Sequence, residues 1–252
     1  MLIKNNLIIT IIILSLLFFC SNLRAEEFNI TAEEILIDKE KETITGIGSV
    51  QATDSEGKLI KADKIDYYKS KEFLQAEGNV IIADTDGNIL KTNKATYDKK
   101  NEIIVTYDNT ELLIKEGYKL VTQNIYYDTK EKVLSSNDSS IFTDSDKNII
   151  ETNMFQYHVQ NNLFSSVGKI KIIDNKKNKY FFKELHVDTK KKEMVGSDVS
   201  VILNQKNFGV SKESDPRFVA NDIFVSKNKS ELSKGIFTVC KIRKGKCPPW
   251  TL

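Results

Sequence analysis

The stretch Lys61-Ala62-Asp63-Lys64-Ile65-Asp66-Tyr67-Tyr68 is followed, after a short charged link, by Leu74-Gln75-Ala76-Glu77-Gly78-Asn79-Val80-Ile81-Ile82. Ile65 and Tyr67 alternate with polar neighbours, and Leu74, Ala76, Gly78, Val80 and Ile82 fall on one side of the second segment. Period-two alternation with β-branched and aromatic residues is the signature of a half-buried strand. The pair recurs every thirty residues, in rows that begin at Thr31, Lys61, Lys91, Val121, Glu151 and Phe181. One column reads Ile35, Ile65, Ala95, Ile125, Phe155, Leu185, and another reads Ile37, Tyr67, Tyr97, Tyr127, Tyr157, Val187. Later columns read Ile44, Leu74, Ile104, Leu134, Phe164, Met194, and Ala52, Ile82, Leu112, Phe142, Ile172, Ile202. Between them lie small residues, Gly46, Ala76, Thr106, Ser136, Ser166, Gly196. Tandem repetition at fixed period with polar turns such as Asp84-Thr85-Asp86-Gly87 predicts an all-β fold of strand-turn-strand units. All 3 Pro lie at Pro216 or later, as long uninterrupted ladders require. The rows lose their clarity after Leu203, and Ala220-Asn221-Asp222-Ile223-Phe224-Val225 reads as the opening strand of a seventh, shifted row.

Composition narrows the function classes. The chain of 252 residues carries 37 Lys+Arg against 35 Asp+Glu. Lys4 and Arg24 are the only charges in the first 25 residues, so the remainder is balanced. A neutral chain is poorly suited to bulk binding of nucleic acid. With only 2 His and 3 Cys, a zinc site and most His-based catalysis are disfavoured. Lys4, the apolar run Leu7 to Phe19 and Ala25 predict an export signal over residues 1–25, with an uncleaved anchor as the alternative. Phe19 before Cys20 argues against a lipidation site, which needs a small residue there. No later stretch is long and apolar enough to span a bilayer.

The column of small residues admits two readings. Narrow side chains midway along successive strands leave width for an elongated apolar guest. Alternatively the sheets approach closely there, or Gly marks bulges. The next column, Gly48, Gly78, Asp108, Asp138, Gly168, Asp198, counts against a wholly dry groove. One buried twelve-carbon chain would gain about 10 kcal/mol at ~0.8 kcal/mol per CH₂. An open, partly wet groove therefore suits a carrier better than a closed cavity.

The text "A-D…I-x-Y…A-x-G-x-V" in residues 61–80, repeated through residues ~28–225, resembles the OstA-like family of lipopolysaccharide-transport proteins, LptA and the periplasmic N-terminal domain of LptD. Gly235-Ile236-Phe237-Thr238-Val239-Cys240 and Cys247-Pro248-Pro249-Trp250 are similar to the junction that precedes the outer-membrane barrel in LptD. The resemblance implies an open β-jelly roll, a V of two antiparallel sheets, over residues 26–235, with a junction segment over 236–252. It implies a periplasmic module at the outer membrane that binds the acyl chains of lipid A. Its partners would be other bridge or barrel proteins of the transport system, met by sheet-edge pairing. On this reading the groove is lined by Ile44, Leu74, Ala76, Val80, Ile82, Ile104, Leu112, Leu134, Ser136, Phe142, Phe164, Ile170, Ile172, Met194 and Ile202. Cys240 matches the family's junction cysteine, which implies a disulfide, here either local to Cys247 or to a separate barrel chain. The barrel itself is absent before Leu252, which leaves a lone domain, a split gene product or a truncated frame as readings.

No catalytic constellation, cofactor loop or metal-ligand spacing stands out. His158 and His186 read as strand-end residues, and Lys176-Lys177-Asn178-Lys179 and Lys190-Lys191-Lys192 as solvated turns. Contact of those lysines with lipid A phosphates is the sharper alternative. Thirty residues could also form one coil of a parallel β-helix, which would make the chain a structural or surface protein. A carbohydrate-active enzyme on such a helix is the remaining reading, opposed by the lack of stacked carboxylates.

Overall fold

The computed structural model describes residues 28–115, 117–208, 214–241 and 250–251. The expected signal segment, with Cys20, and Cys247 lie outside the described residues. In chain order the strands are β1 (Asn29–Thr31), β2 (Glu34–Asp38), β3 (Thr43–Thr53), β4 (Leu59–Tyr68), β5 (Phe73–Ala83), β6 (Ile89–Asp98) and β7 (Ile103–Tyr107). They continue with β8 (Thr110–Leu113), β9 (Lys119–Thr122), β10 (Tyr126–Asp128), β11 (Val133–Ser136), β12 (Ser140–Thr143), β13 (Ile149–Thr152) and β14 (Phe155–His158). The last are β15 (Leu163–Ile173), β16 (Lys179–Asp188), β17 (Glu193–Ile202), β18 (Arg217–Val225), β19 (Ser230–Ser233), β20 (Ile236–Thr238) and β21 (Trp250–Thr251). Among the described residues, helix is confined to a 3-10 turn at Lys69–Lys71 and a four-residue α-helix at Gln205–Phe208. The expected all-β class is what the chain adopts, and the seventh-row strand is part of β18.

The long strands β3 to β6 and β15 to β18 each pair antiparallel with the next in sequence, so the chain meanders. The long strands each cross from one half-sheet to another through a bend at mid-length. In the central rows the same crossing divides a strand into two pieces: β6 pairs with β7 through its second half and with β8 through its first. The parallel-coil alternative is therefore wrong for this chain, because every pairing among the described residues is antiparallel. A β-helix would stack parallel coils.

The bend has a local cause. The register shifts between Ile47 and Val50 on β3, between Glu77 and Val80 on β5, and between Val167 and Ile170 on β15. At these β-bulges the chain turns left-handed, with φ of +78° at Gly48 and +77° at Gly78. Gly tolerates that conformation, and Asn or Asp tolerate it better than other residues. Asn79, Asp108, Asn109 and Asp198 share it. The column of Gly and Asp thus marks where each strand is re-aimed. Left-handed residues also recur at the strand-to-strand turns, at Glu42, Glu72, Glu102, Lys132, Asn162 and Lys192.

The opposite turns are held by their own side chains. In each of Asp84/Asn88, Asp144/Asn148 and Asp174/Asn178, the Asn backbone N–H donates to the Asp carboxylate at 2.8 Å. The Asn side chain then accepts from the next turn, as Asn88 does from the Lys115 N–H at 3.2 Å.

The inner faces of the two half-sheets form one core that includes Ile60, Ile65, Leu74, Val80, Leu120, Ile125, Leu185 and Val201. Each fully buried Ile or Leu contributes about 1.5–3 kcal/mol. Contact between the halves is direct: the Phe142 ring from β12 lies 4.7 Å from that of Phe155 and 4.9 Å from that of Phe164. A Cβ added at Gly196 would stand 2.5 Å from Phe182 Cδ1. Gly196→Val should therefore cost about 1–3 kcal/mol by overpacking. Chemical denaturation checks it, and an unchanged midpoint would contradict the close approach.

Candidate functional site

The inner face is the surface on which the repeat concentrates its apolar side chains. Of the residues read as groove lining, Leu74, Ala76, Val80, Ile82, Ile104, Leu112, Leu134, Ser136, Phe164 and Ile170 are buried. Ile44, Phe142, Ile172 and Met194 are half-buried. Ile202 requires correction, because it is exposed while Val199 and Val201 point inward. The bulges on β3, β5 and β15 insert one extra residue, whereas the β16–β17 and β17–β18 ladders run through without a register shift. Omitting one residue turns the rest of a strand over, so Ile202 faces out.

The reading of the small residues as spacers for an open trough is also corrected. Gly46 and Gly196 are small because a neighbour sits over them: a Cβ at Gly46 would come within 2.8 Å of Val50 Cγ1. Thr106, Ser136 and Ser166 of the same column take part in a buried hydroxyl ladder. Thr106 Oγ1 lies 2.7 Å from Thr110 Oγ1 and accepts from the Ile125 N–H at 2.8 Å. Thr110 Oγ1 donates onward to Thr92 Oγ1 at 3.3 Å. In the next row Ser140 Oγ donates to Thr122 Oγ1 at 3.0 Å, and Thr122 lies 3.2 Å from Ser136 Oγ. Thr152 and Ser166 hydroxyls are 2.6 Å apart. Among the described residues no buried side-chain N or O is left without a partner. Of the Asp column, Asp108 and Asp198 are exposed, and Asp198 pairs with Lys183 at 3.0 Å. Half-buried Asp138 instead meets the ladder through its backbone, donating its N–H to Ser136 Oγ at 3.2 Å and accepting from Ser140 Oγ at 2.8 Å.

The ladder escaped the sequence reading although its signal was present. Positions held by Ala62, Val50 and Val80 in the outer rows become Thr92, Thr122, Thr152, Thr110 and Ser140 in the central rows. These are the rows in which the crossing strands are divided. Hydroxyls there satisfy backbone groups released where the ladder breaks, as the Ile125 N–H shows.

The Tyr column forms one rim of the inner face. Phe28 packs edge-on to Tyr67 and Tyr97, at ring separations of 5.3 and 6.0 Å. Lys58 Nζ stands 4.7 Å from the Tyr97 ring centre and 3.4 Å from Asp54 Oδ2. Burial works against the Lys58 ammonium, but Tyr97 and Asp54 outweigh it and hold its pKa above the usual value. Burial pushes the Tyr97 and Tyr127 phenols up. Burial, with the hydrogen bond to Asp174 at 3.0 Å, pushes Tyr180 up to about 12.

Access to the inner face lies at the sheet ends. Among the described residues β1 and β2 pair only with β3, so their outer edges carry no partner strand. Ile35 and Ile37 of β2 sit in the inner columns, yet they are 45% and 66% exposed. Their column mates Ile65 and Tyr67, one row on, are 0% and 4% exposed. At the other end Leu232 of β19, opposite Ile223, is also exposed. Cys240 is half-buried and forms no disulfide among the described residues. The described part of the expected junction segment continues the sheet, with β20 paired to β18. No group of His, Cys, Asp and Glu among the described residues could hold a metal ion.

No protein-family model matches the chain, and no curated protein matches it. Among solved structures it is similar to LptH, the LptA homologous periplasmic component of the lipopolysaccharide transport device of Pseudomonas aeruginosa. The two share 13% identity over 69% of this chain and 84% of that one, with a TM-score of 0.22. A likeness so distant assigns no function.

Thr106→Val is nearly isosteric and removes the hydroxyl that joins Thr110 to the Ile125 N–H. It should destabilise the fold by about 1–3 kcal/mol, read by urea titration. Unaltered stability would mean that the ladder is incidental.

Proposed function

We propose that the chain is a lipid-binding module of a lipopolysaccharide-transport type, which takes acyl chains of lipid A onto the inner face between its half-sheets. The observation that supports this reading is the exposed pair Ile35 and Ile37 at the open end of an otherwise buried apolar face. Large apolar side chains left in water at the mouth of a continuous apolar surface mark a contact for an apolar partner. The interior is packed, so a guest enters by parting the half-sheets from the open end. An acyl chain gains ~0.8 kcal/mol per buried CH₂, and that gain must offset the contacts that separate.

The site of action is the periplasm next to the outer membrane, after removal of residues 1–25. Residues 26–235 form the lipid-binding domain, and 236–252 the junction. Neighbouring bridge or barrel proteins of the transport system add to the unpaired edges at β2 and β19 by backbone hydrogen bonding. No catalytic step, cofactor or nucleic acid enters this reading.

A photoreactive side chain at Ile37 should crosslink to lipopolysaccharide, while the same group at Val219, exposed on the outer face, should not. Mass spectrometry of the adducts decides, and equal labelling at both positions would contradict inner-face binding. A second expectation concerns the junction: non-reduced protein recovered from the periplasm should contain Cys240 joined to Cys247. Closing that short loop would contribute about 2–3 kcal/mol. Two free thiols there would contradict it.

A further inference from the structure

The outer face of the sheet carries a hollow of about 550 Å³ lined by Phe73, Thr96, Asp98, Asn101, Ile103, Val105, Tyr107 and Tyr126. The volume is within the ~300–1,000 Å³ usual for small-ligand clefts. Its shape follows from the ladder. Phe73 lies opposite Asp98, and Asp98 opposite Ile103; Thr96 lies opposite Val105, and Val105 opposite Tyr126. The short side chains of Thr96 and Asp98 on β6 thus form a floor between Phe73 on one side and the tyrosines on the other. The repeat does not require this. Position for position, the outward residues of the preceding row are Asp66, Gln75 and Glu77, where the hollow has Thr96, Val105 and Tyr107.

The lining restricts the ligand. Tyr107 and Tyr126 are 40% and 46% exposed, so two aromatic rings are offered to a partner. Asp98 holds Asn101 by accepting its backbone N–H at 3.0 Å and its Nδ2 at 2.7 Å. A carboxylate has about four acceptor sites, which leaves two for a ligand. The Thr96 hydroxyl and Asn101 Oδ1 make no hydrogen bond among the described residues. The lining contains no cation, and the nearby Lys94 is engaged with Glu77 at 2.8 Å. Within the lining an anion therefore meets the Asp98 carboxylate and no cation, the lysines of the Asp98–Asn101 turn lying at the rim. A hydrocarbon would leave the Asp98 carboxylate dehydrated and unpaired. An added strand finds no free backbone, because the hollow is on a sheet face and not at an edge. The ligand that satisfies rings, acceptors and the absence of cations together is a neutral polyhydroxylated ring compound, with C–H faces for the tyrosines and O–H donors for Asp98, Asn101 and Thr96.

We infer that this hollow is a saccharide-binding site for a short neutral glycan. It lies on the face opposite the acyl-binding surface proposed above, and neither reading depends on the other. The test titrates the full exported chain with trisaccharides of glucose, mannose and N-acetylglucosamine, while tyrosine ring signals are followed by NMR. At least one should give saturable shifts at Tyr107 and Tyr126 with a Kd of about 1 mM. Tyr126→Ala should weaken binding about tenfold. Thr96→Val should weaken it as well, and Val219→Ala should leave it unchanged. Binding should persist when salt is raised, as screening does not act on a neutral ligand. The inference is overturned if no trisaccharide gives saturable shifts, if Val219→Ala weakens binding as much as Tyr126→Ala, or if tetramethylammonium displaces the sugar and salt abolishes binding. The last result would identify a cation site instead.

Discussion

The fold depends on one backbone constraint: β3, β5, β15 and β17 must turn left-handed near their middle. At Gly48 and Gly78 a residue without Cβ allows it, and at Asp108 and Asp198 a short polar side chain tolerates it. On β3, β5 and β15 an inserted residue re-aims the strand, so one continuous ladder supplies inner faces to two half-sheets. Everything inside follows from where these bulges stand. Their thirty-residue spacing sets Leu74, Ile104 and Leu134 in one row, alternating with Tyr97 and Tyr127, in one half while Val80 and Ile170 serve the other. Where the β17 ladders run without the extra residue, Val199 and Val201 take the inner positions and Ile202 turns to water.

The interior is closed in the isolated chain. Hydroxyl pairs occupy the middle of the central rows, and Phe142 bridges to Phe155 and Phe164 across the halves. Polar groups buried in this way are costly to leave unpaired and cheap to keep paired. The ladder therefore holds the two halves in register. The same packing means that a hydrocarbon guest competes with contacts already made, except at the N-terminal end. There, among the described residues, β2 has no strand beyond it, and Ile35 and Ile37 are exposed.

Much of this was legible in the sequence. Period-two columns placed Ile65, Tyr67, Leu74 and Val80 inward, and the thirty-residue register with its polar turns read as strand-turn-strand units, though the period alone also fitted a parallel coil. What could not be read has physical reasons. Smallness alone does not distinguish a spacer from a residue with a neighbour pressed on it, as Val50 is on Gly46. A missing bulge residue leaves the column pattern intact but reverses Ile202. The exposure of Ile37 depends on what lies beyond the sheet edge, which no column records. The outer hollow required knowing that Phe73, Thr96, Val105 and Tyr126 share one face across four strands.

The central functional claim is that hydrocarbon enters between the half-sheets from the β2 end. The most direct measurement is NMR with a spin-labelled fatty acid added to the isotope-labelled protein. The account predicts paramagnetic broadening strongest at Ile35 and Ile37 and falling through Ile65 and Tyr67 toward Leu74, with outward-facing Val195 and Val219 unaffected. Broadening confined to the outer face, or absent from these inner residues at saturating fatty acid, would contradict it.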